Sequence, residues 1–134
     1  MHVLDTDIIS LSMRRALPEA ARQRLLALPR EDVCLTAVTL GELYFGALRT
    51  ASASEWLDAV SALRRTMACL DFDATAARHY GELRAHLESR GRRLDDPDLR
   101  IAAICRSGNH VLVSGNAKHF ERVPGLRYEN WLKG

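Results

Sequence analysis

The stretch Met1-His-Val-Leu-Asp-Thr-Asp-Ile-Ile-Ser10 decides the fold. His2 to Leu4 reads as a short buried strand that delivers Asp5 at its carboxyl end. Thr6 or Asp7 can cap the helix that follows through Ile8, Ile9, Leu11 and Ser12. A parallel strand feeding a helix is implied, and the pattern recurs along the chain. Val33-Cys-Leu-Thr36 reads as a second strand, followed by a helix from about Ala37 to Leu48. Cys69 to Phe72 and Val111 to Val113 read as further strands, and Arg127 to Glu129 as a last edge strand before Trp131.

Helical periodicity fills the intervals. Pro18 opens a stretch with Ala21, Leu25, Leu26 and Leu28 near one face, ended by Pro29. Trp56, Leu57, Val60, Leu63 and Met67 recur at three- and four-residue steps. Asp73 caps a long helix through Tyr80, Leu83 and Leu87 that stops at Gly91, and Asp96 serves as N-cap of another with Pro97 in its first turn. Strands alternating with helices predict an α/β domain with a parallel sheet covered on both sides. At 134 residues the chain is expected to form a single domain, 1–134.

Composition narrows the class. Apolar residues make up 47% and charged residues 27%, the profile of a globular protein rather than a disordered or membrane one. No apolar run approaches the roughly 20 residues of a membrane span, and a carboxylate stands at position 5 where a signal peptide would place its apolar stretch; a cytoplasmic location is expected. Cys34, Cys69 and Cys105 are far apart and form no C-x-x-C pair, which argues against a disulfide framework or thiolate zinc site. The net charge of +2 does not by itself announce a nucleic-acid binder, although 17 Arg stand against 2 Lys. No G-x-G-x-x-G follows a strand, so a dinucleotide-binding protein is set aside.

Four polar positions, Asp5, Glu42, Asp98 and Asn116, each fall where a strand ends or near the start of a helix. In a parallel sheet ligands bind beyond the carboxyl ends of the strands. Asp5 and the Ser114-Gly-Asn116 turn leave their strands there, and Glu42 and Asp98 come from early positions in following helices. Ile101, Ala102 and Cys105 follow Asp98 at three, four and seven residues, so this acid shares the buried face of its own helix. Clustered carboxylates raise one another's pKa and splay apart unless a cation joins them. A hard divalent ion held by oxygen fits such a set, and phosphodiester hydrolysis is the chemistry it serves. The five histidines show no zinc-ligand spacing.

Other polar residues have plainer readings. Asp7, Asp95 and Asp96 are expected to cap or solvate, and Glu82 to pair on the surface with Arg78 and His86. Arg90, Arg92, Arg93, Lys118 and Arg122 are either a solvated surface or a flank that holds RNA phosphates. Trp56 and Trp131 read as packing residues.

Five ordered blocks carry a resemblance that runs nearly end to end. They are Leu4-Asp-Thr-Asp-Ile-Ile-Ser10, Leu35-Thr-Ala-Val-Thr-Leu-Gly-Glu-Leu43 with Gly46, Tyr80-Gly-Glu-Leu-Arg84, Asp98-Leu-Arg-Ile-Ala-Ala103, and Leu112-Val-Ser-Gly-Asn116 with Phe120. In these the chain resembles the PIN-domain ribonucleases of the VapC toxin type. The resemblance implies a three-layer α/β/α sandwich with a short, mostly parallel central sheet. It also implies dependence on Mg2+ or Mn2+, endonucleolytic cleavage of RNA, a homodimer, and inhibition by a cognate, VapB-like antitoxin. By motif, Asp5, Glu42 and Asp98 match the family's three acidic positions, with Asp5 and Asp98 as metal ligands. Asn116 stands where many members place a fourth acid, which weakens a second metal position. That departure gives the competing expectation of a catalytically weak PIN-fold module that binds RNA or a partner. Leu11, Met13 and Leu17 are expected to expose an apolar groove that a partner helix can fill.

Overall fold

Two strand-to-helix joints with almost no loop set the architecture. In the computed structural model, which describes residues 1–133, β1 (His2–Leu4) passes through the single residue Asp5 into α1 (Thr6–Met13). Similarly, β2 (Val33–Thr36) runs directly into α3 (Ala37–Leu48). Between and after them come α2 (Glu19–Ala27), α4 (Ala53–Thr66), β3 (Ala68–Leu70), α5 (Ala74–Ser89) and α6 (Asp96–Ser107). The chain ends with β4 (Val111–Val113), the short α7 (Ala117–Phe120) and β5 (Arg127–Glu129).

The five strands form one sheet in the order β3-β2-β1-β4-β5, and every pairing is parallel. The alternation of strand side chains divides the core into two layers. Val3, Cys34 and Leu112 face α5 and α6, where Leu83, Leu87 and Ile101 are fully buried. Leu4, Leu35 and Val113 face the opposite way, toward Ile8 and Ile9 of α1 and Val60 of α4. The result is the three-layer α/β/α sandwich.

The order also fixes where a ligand can sit. From β1 the chain moves to β2 and β3 on one side, then returns to β4 and β5 on the other. The carboxyl ends of β1 and β4 therefore flank the point where the winding reverses. In register, Leu4 pairs with Val113, so Asp5 and Ser114 leave the sheet side by side. Val3 pairs with Cys34, which brings Thr36 and the start of α3 alongside Asp5.

Several local expectations are corrected. Asp5 itself, not Thr6 or Asp7, is the N-cap of α1, its side chain accepting from the Thr6 N–H. Asp95, not Asp96, is the N-cap residue of α6, without a side-chain capping bond, and the Asp96 carboxylate accepts from the Tyr80 hydroxyl and from Arg100 Nε at 2.5 Å. Leu26 is 65% exposed, and the buried face of α2 runs through Ala21, Leu25 and Leu28 instead. Met13 and Leu17 are half-buried against the core rather than exposed. Glu82 pairs with Arg78 as expected, but its second partner is Arg106 on α6 at 2.7 Å and not His86. Among the described residues no helix is long and apolar enough to cross a membrane.

Candidate active site

Asp5 is the centre of the site. It is only 6% exposed, and both of its oxygens are engaged: Oδ1 accepts from the Thr6 N–H and Oδ2 from the Ser114 hydroxyl, each at 2.8 Å. Burial pushes its carboxyl up to about 7, and the negative charges of Asp7 and Asp98 add to the shift, against the two hydrogen bonds that favour the ionised form. Ser114 is fully buried, accepts from the Asn116 N–H at 3.1 Å, and passes its backbone carbonyl to the Tyr128 hydroxyl at 2.9 Å. This chain of bonds fixes the end of β4 against the end of β1.

Glu42 arrives from the second joint. The Thr36 hydroxyl caps α3 by accepting from the Thr39 N–H at 3.1 Å, and one turn later Glu42 Oε1 accepts from the Thr6 hydroxyl at 2.6 Å. The glutamate itself is exposed. Its apolar neighbours Leu40, Leu43 and Tyr44 pack into the core and leave its own side chain at the mouth of the site.

Asp98 comes from the first turn of α6 and Asn116 from the N-cap of α7. Both meet His119: Asp98 Oδ2 and the Asn116 side-chain amide each lie 2.8 Å from His119 Nδ1. Asp5, Asp7, Glu42, Asp98 and Asn116, with Thr6, Ser10 and Gly115, line one depression of about 510 Å³ at the carboxyl edge of the sheet. All four expected site residues are thus brought to one place.

Two further residues belong there. Asp7, expected to cap rather than ligate but also to recover some of the charge that Asn116 lacks, accepts from the Ile8 N–H at 2.8 Å and from the Gly115 N–H at 2.9 Å, and burial raises its carboxyl above the ordinary value. A side chain at position 115 would run into Leu132 Cδ1 at 2.4 Å and Asp7 Oδ2 at 3.0 Å, so glycine lets the β4 turn close over Asp7. His119, like the other histidines, has no zinc-ligand spacing, and its three-residue step from Asn116 is the one signal in the sequence. Among the described residues no Lys or Arg lines the depression itself. Arg122 instead donates to the Arg93 carbonyl at 2.8 Å, and Arg93 lines a separate hollow beside Glu88.

The donor set fits a hard divalent cation. It is dominated by carboxylate and hydroxyl oxygens with no thiolate, and its most buried acid is raised by burial and by its acidic neighbours, the signature of a cluster short of positive charge. Among the described residues, no three His, Cys, Asp or Glu side chains converge closely enough to form a finished coordination shell. The hydrogen bonds say why: Asp5 is held by Thr6 and Ser114, Glu42 by Thr6, and Asp98 by His119.

Comparison with known proteins agrees with this geometry. The PIN domain family model matches residues 2–126. The chain is 36% identical over 129 residues to the tRNA(fMet)-specific endonuclease VapC of Shigella flexneri, covering 96% of each. Among solved structures it is similar to DNA-bound VapBC from Salmonella typhimurium (TM-score 0.89, 33% identity, 97% of each chain). It is equally similar in fold to VapBC2 from Rickettsia felis bound to a promoter DNA fragment (TM-score 0.89, 28% identity, 97% of this chain and 98% of that one). A matched family model and a relative this close over nearly the whole length leave one assignment: the chain belongs to the PIN-domain family, among the VapC proteins.

Proposed function

We propose that this chain is a metal-dependent endoribonuclease and the toxin of a toxin–antitoxin pair. The observation that carries the reading is Asp5, a buried carboxylate raised to about 7 beside Asp7 and Asp98 at the reversal point of a parallel sheet. The names of two similar proteins add weight: that of Shigella flexneri is called a tRNA(fMet)-specific endonuclease, and that of Haemophilus influenzae, 33% identical, a ribonuclease.

In this reading Asp5 and Asp98 hold the ion, Mg2+ by the all-oxygen donor set, with Mn2+ as a substitute. When bound, the ion would lower the pKa of a water and offset charge on the phosphoryl oxygens. Glu42, exposed at the mouth and held by the Thr6 hydroxyl, would serve as general base for the attacking water. Asp7 would add negative charge to the depression while tied to the Gly115 N–H. Ser114 and Thr6 keep Asp5 from rotating. No protein nucleophile is needed, and the phosphodiester of an RNA chain lies across the depression as substrate.

The antitoxin reading rests on a second feature. A groove of about 320 Å³ between α1, α3 and α4, lined by Met13, Leu43, Trp56 and Val60, adjoins the acidic depression and shares Ser10 and Glu42 with it. It is mostly apolar, which suits the side chains of a partner helix, and the Salmonella and Rickettsia structures are of VapBC complexes. Homodimerisation and action in the cytoplasm, where the RNA is, complete the proposal on family likeness.

The test is cleavage of a labelled panel of structured RNAs, initiator tRNA included, by antitoxin-free protein with Mg2+, with Mn2+ and with EDTA. Cutting under either metal that EDTA abolishes is expected. RNA that is bound but left intact under both metals would favour the non-cleaving PIN-fold module instead.

A further inference from the structure

His119 stands in a relation to Asp98 and Asn116 that, with Asp98 as a carboxylate, places a hydrogen on Nδ1. The ring is fixed: α7 is pinned by the buried Phe120, and the His119 and Phe120 rings lie edge to face, 6.5 Å between centroids. Nδ1 lies 2.8 Å from Asp98 Oδ2 and 2.8 Å from the end of the Asn116 amide assigned as Nδ2.

An imidazole nitrogen carries either a hydrogen or a lone pair, never both. With a lone pair, Nδ1 can accept from Asn116, but it then faces a carboxylate oxygen at 2.8 Å with no hydrogen between them. With a hydrogen, Nδ1 donates to Asp98 Oδ2, and the amide atom across from it must be an acceptor. That is met by turning the Asn116 amide end for end, which moves no heavy atom because its oxygen and nitrogen occupy nearly the same volume. The other end of this amide has no protein partner among the described residues, and Asn116 lines the depression. After the turn, that free end is the NH2 group.

We propose that His119 is a positioning residue that holds Asp98 through an Nδ1–H···Oδ2 hydrogen bond, and that Asn116 presents its amide N–H groups to the depression as donors for a phosphate oxygen instead of an oxygen for a cation. The proposal rests on reading the depression as an ion-binding nuclease site. One Asp98 oxygen is thereby held and the other left for the ion, an outer hydrogen bond of the kind that orients a ligating carboxylate. Asn116, at the position where the resemblance places a fourth acid, works on the substrate side of the site.

The test uses the full-length, antitoxin-free protein. Long-range 1H–15N correlation spectra of histidine-labelled protein in EDTA, with His119 assigned by His119→Asn, report directly which ring nitrogen bears hydrogen. We expect a pyrrole-type Nδ1, a preference that Asp98→Asn weakens. In parallel, Mn2+ uptake is followed by loss of the free-ion electron paramagnetic resonance signal. His119→Phe, which keeps the ring and loses the donor, is expected to weaken binding about 10- to 100-fold. His119→Asn, whose amide nitrogen takes the place of Nδ1, is expected to restore it to within a few-fold. A pyridine-type Nδ1 in the wild type overturns the proposal, as does Mn2+ binding by His119→Phe equal to that of the wild type. If the wild type takes up no Mn2+ at all, the ion-site reading fails by itself, and the spectra still decide whether His119 holds Asp98.

Discussion

Asp5 carries a cost that its surroundings do not remove. Its carboxyl stands near 7 in the folded protein against 3.8 for the free group. The folded state therefore binds this proton more tightly than the unfolded one, and the associated stability is complete below about pH 4 and lost as pH rises through 7. A gap of about three pH units corresponds to roughly 4 kcal/mol as an upper bound. In EDTA the wild type is predicted to melt lower at pH 8 than at pH 5.5, and Asp5→Asn to flatten that decline and melt several degrees higher at pH 8. Parallel pH curves for the two proteins would show that Asp5 is not the strained group. At this scale the sequence was partly legible. Asp98 declared itself by sharing a helix face with Ile101 and Cys105, and Asp5 by closing an apolar strand. Asp7 and His119 did not, because their roles arise from contacts with Gly115 and with Asp98, both distant in sequence.

Two of the elements that carry the site start at side-chain caps, α1 at Asp5 and α3 at Thr36. α3 begins at the end of a fully buried strand, and its Thr36 hydroxyl, also fully buried, satisfies the Thr39 N–H. Thr36→Val keeps the shape and orphans that N–H, so a loss of about 1–2 kcal/mol is expected, read as a lower denaturation midpoint with unchanged slope. A midpoint unchanged within error would mean that the cap contributes nothing to α3. The helices with clear spacing, α4 and α5, were legible to within a residue or two of their ends. The start of α6 was legible to one residue: Asp96, expected as the N-cap, is the first helical residue, its carboxylate taken up by Tyr80 and Arg100. The four-residue α7 was unreadable: it is too short to show a period, and Phe120 is its one fully buried residue.

For the whole molecule, alternation of strand and helix announced a parallel sheet, but not the order β3-β2-β1-β4-β5 that makes β1 and β4 neighbours and so gathers acids from residues 5, 42 and 98. That order is a property of long-range packing. The apolar groove beside the acids is likewise tertiary, and it offers a way to separate partner binding from cleavage. A Cβ at Gly46, on its wall, would meet nothing within 4 Å. Gly46→Met is therefore expected to fold at least as well as the wild type, gaining up to about 1 kcal/mol from helix propensity. It should weaken binding of a VapB-type antitoxin tenfold or more while the free protein still cuts RNA. Undiminished antitoxin affinity would move the partner to another face. The acidic depression remains the centre of the account, and calorimetric titration of Mn2+ into wild type, Asp5→Asn and Asp98→Asn, with RNA cleavage assayed on the same samples, tests it most directly. The account predicts that the wild type binds the ion and cuts, and that each variant stays folded while losing both. Cleavage that persists in EDTA, or variants that bind Mn2+ and cut as the wild type does, would contradict it.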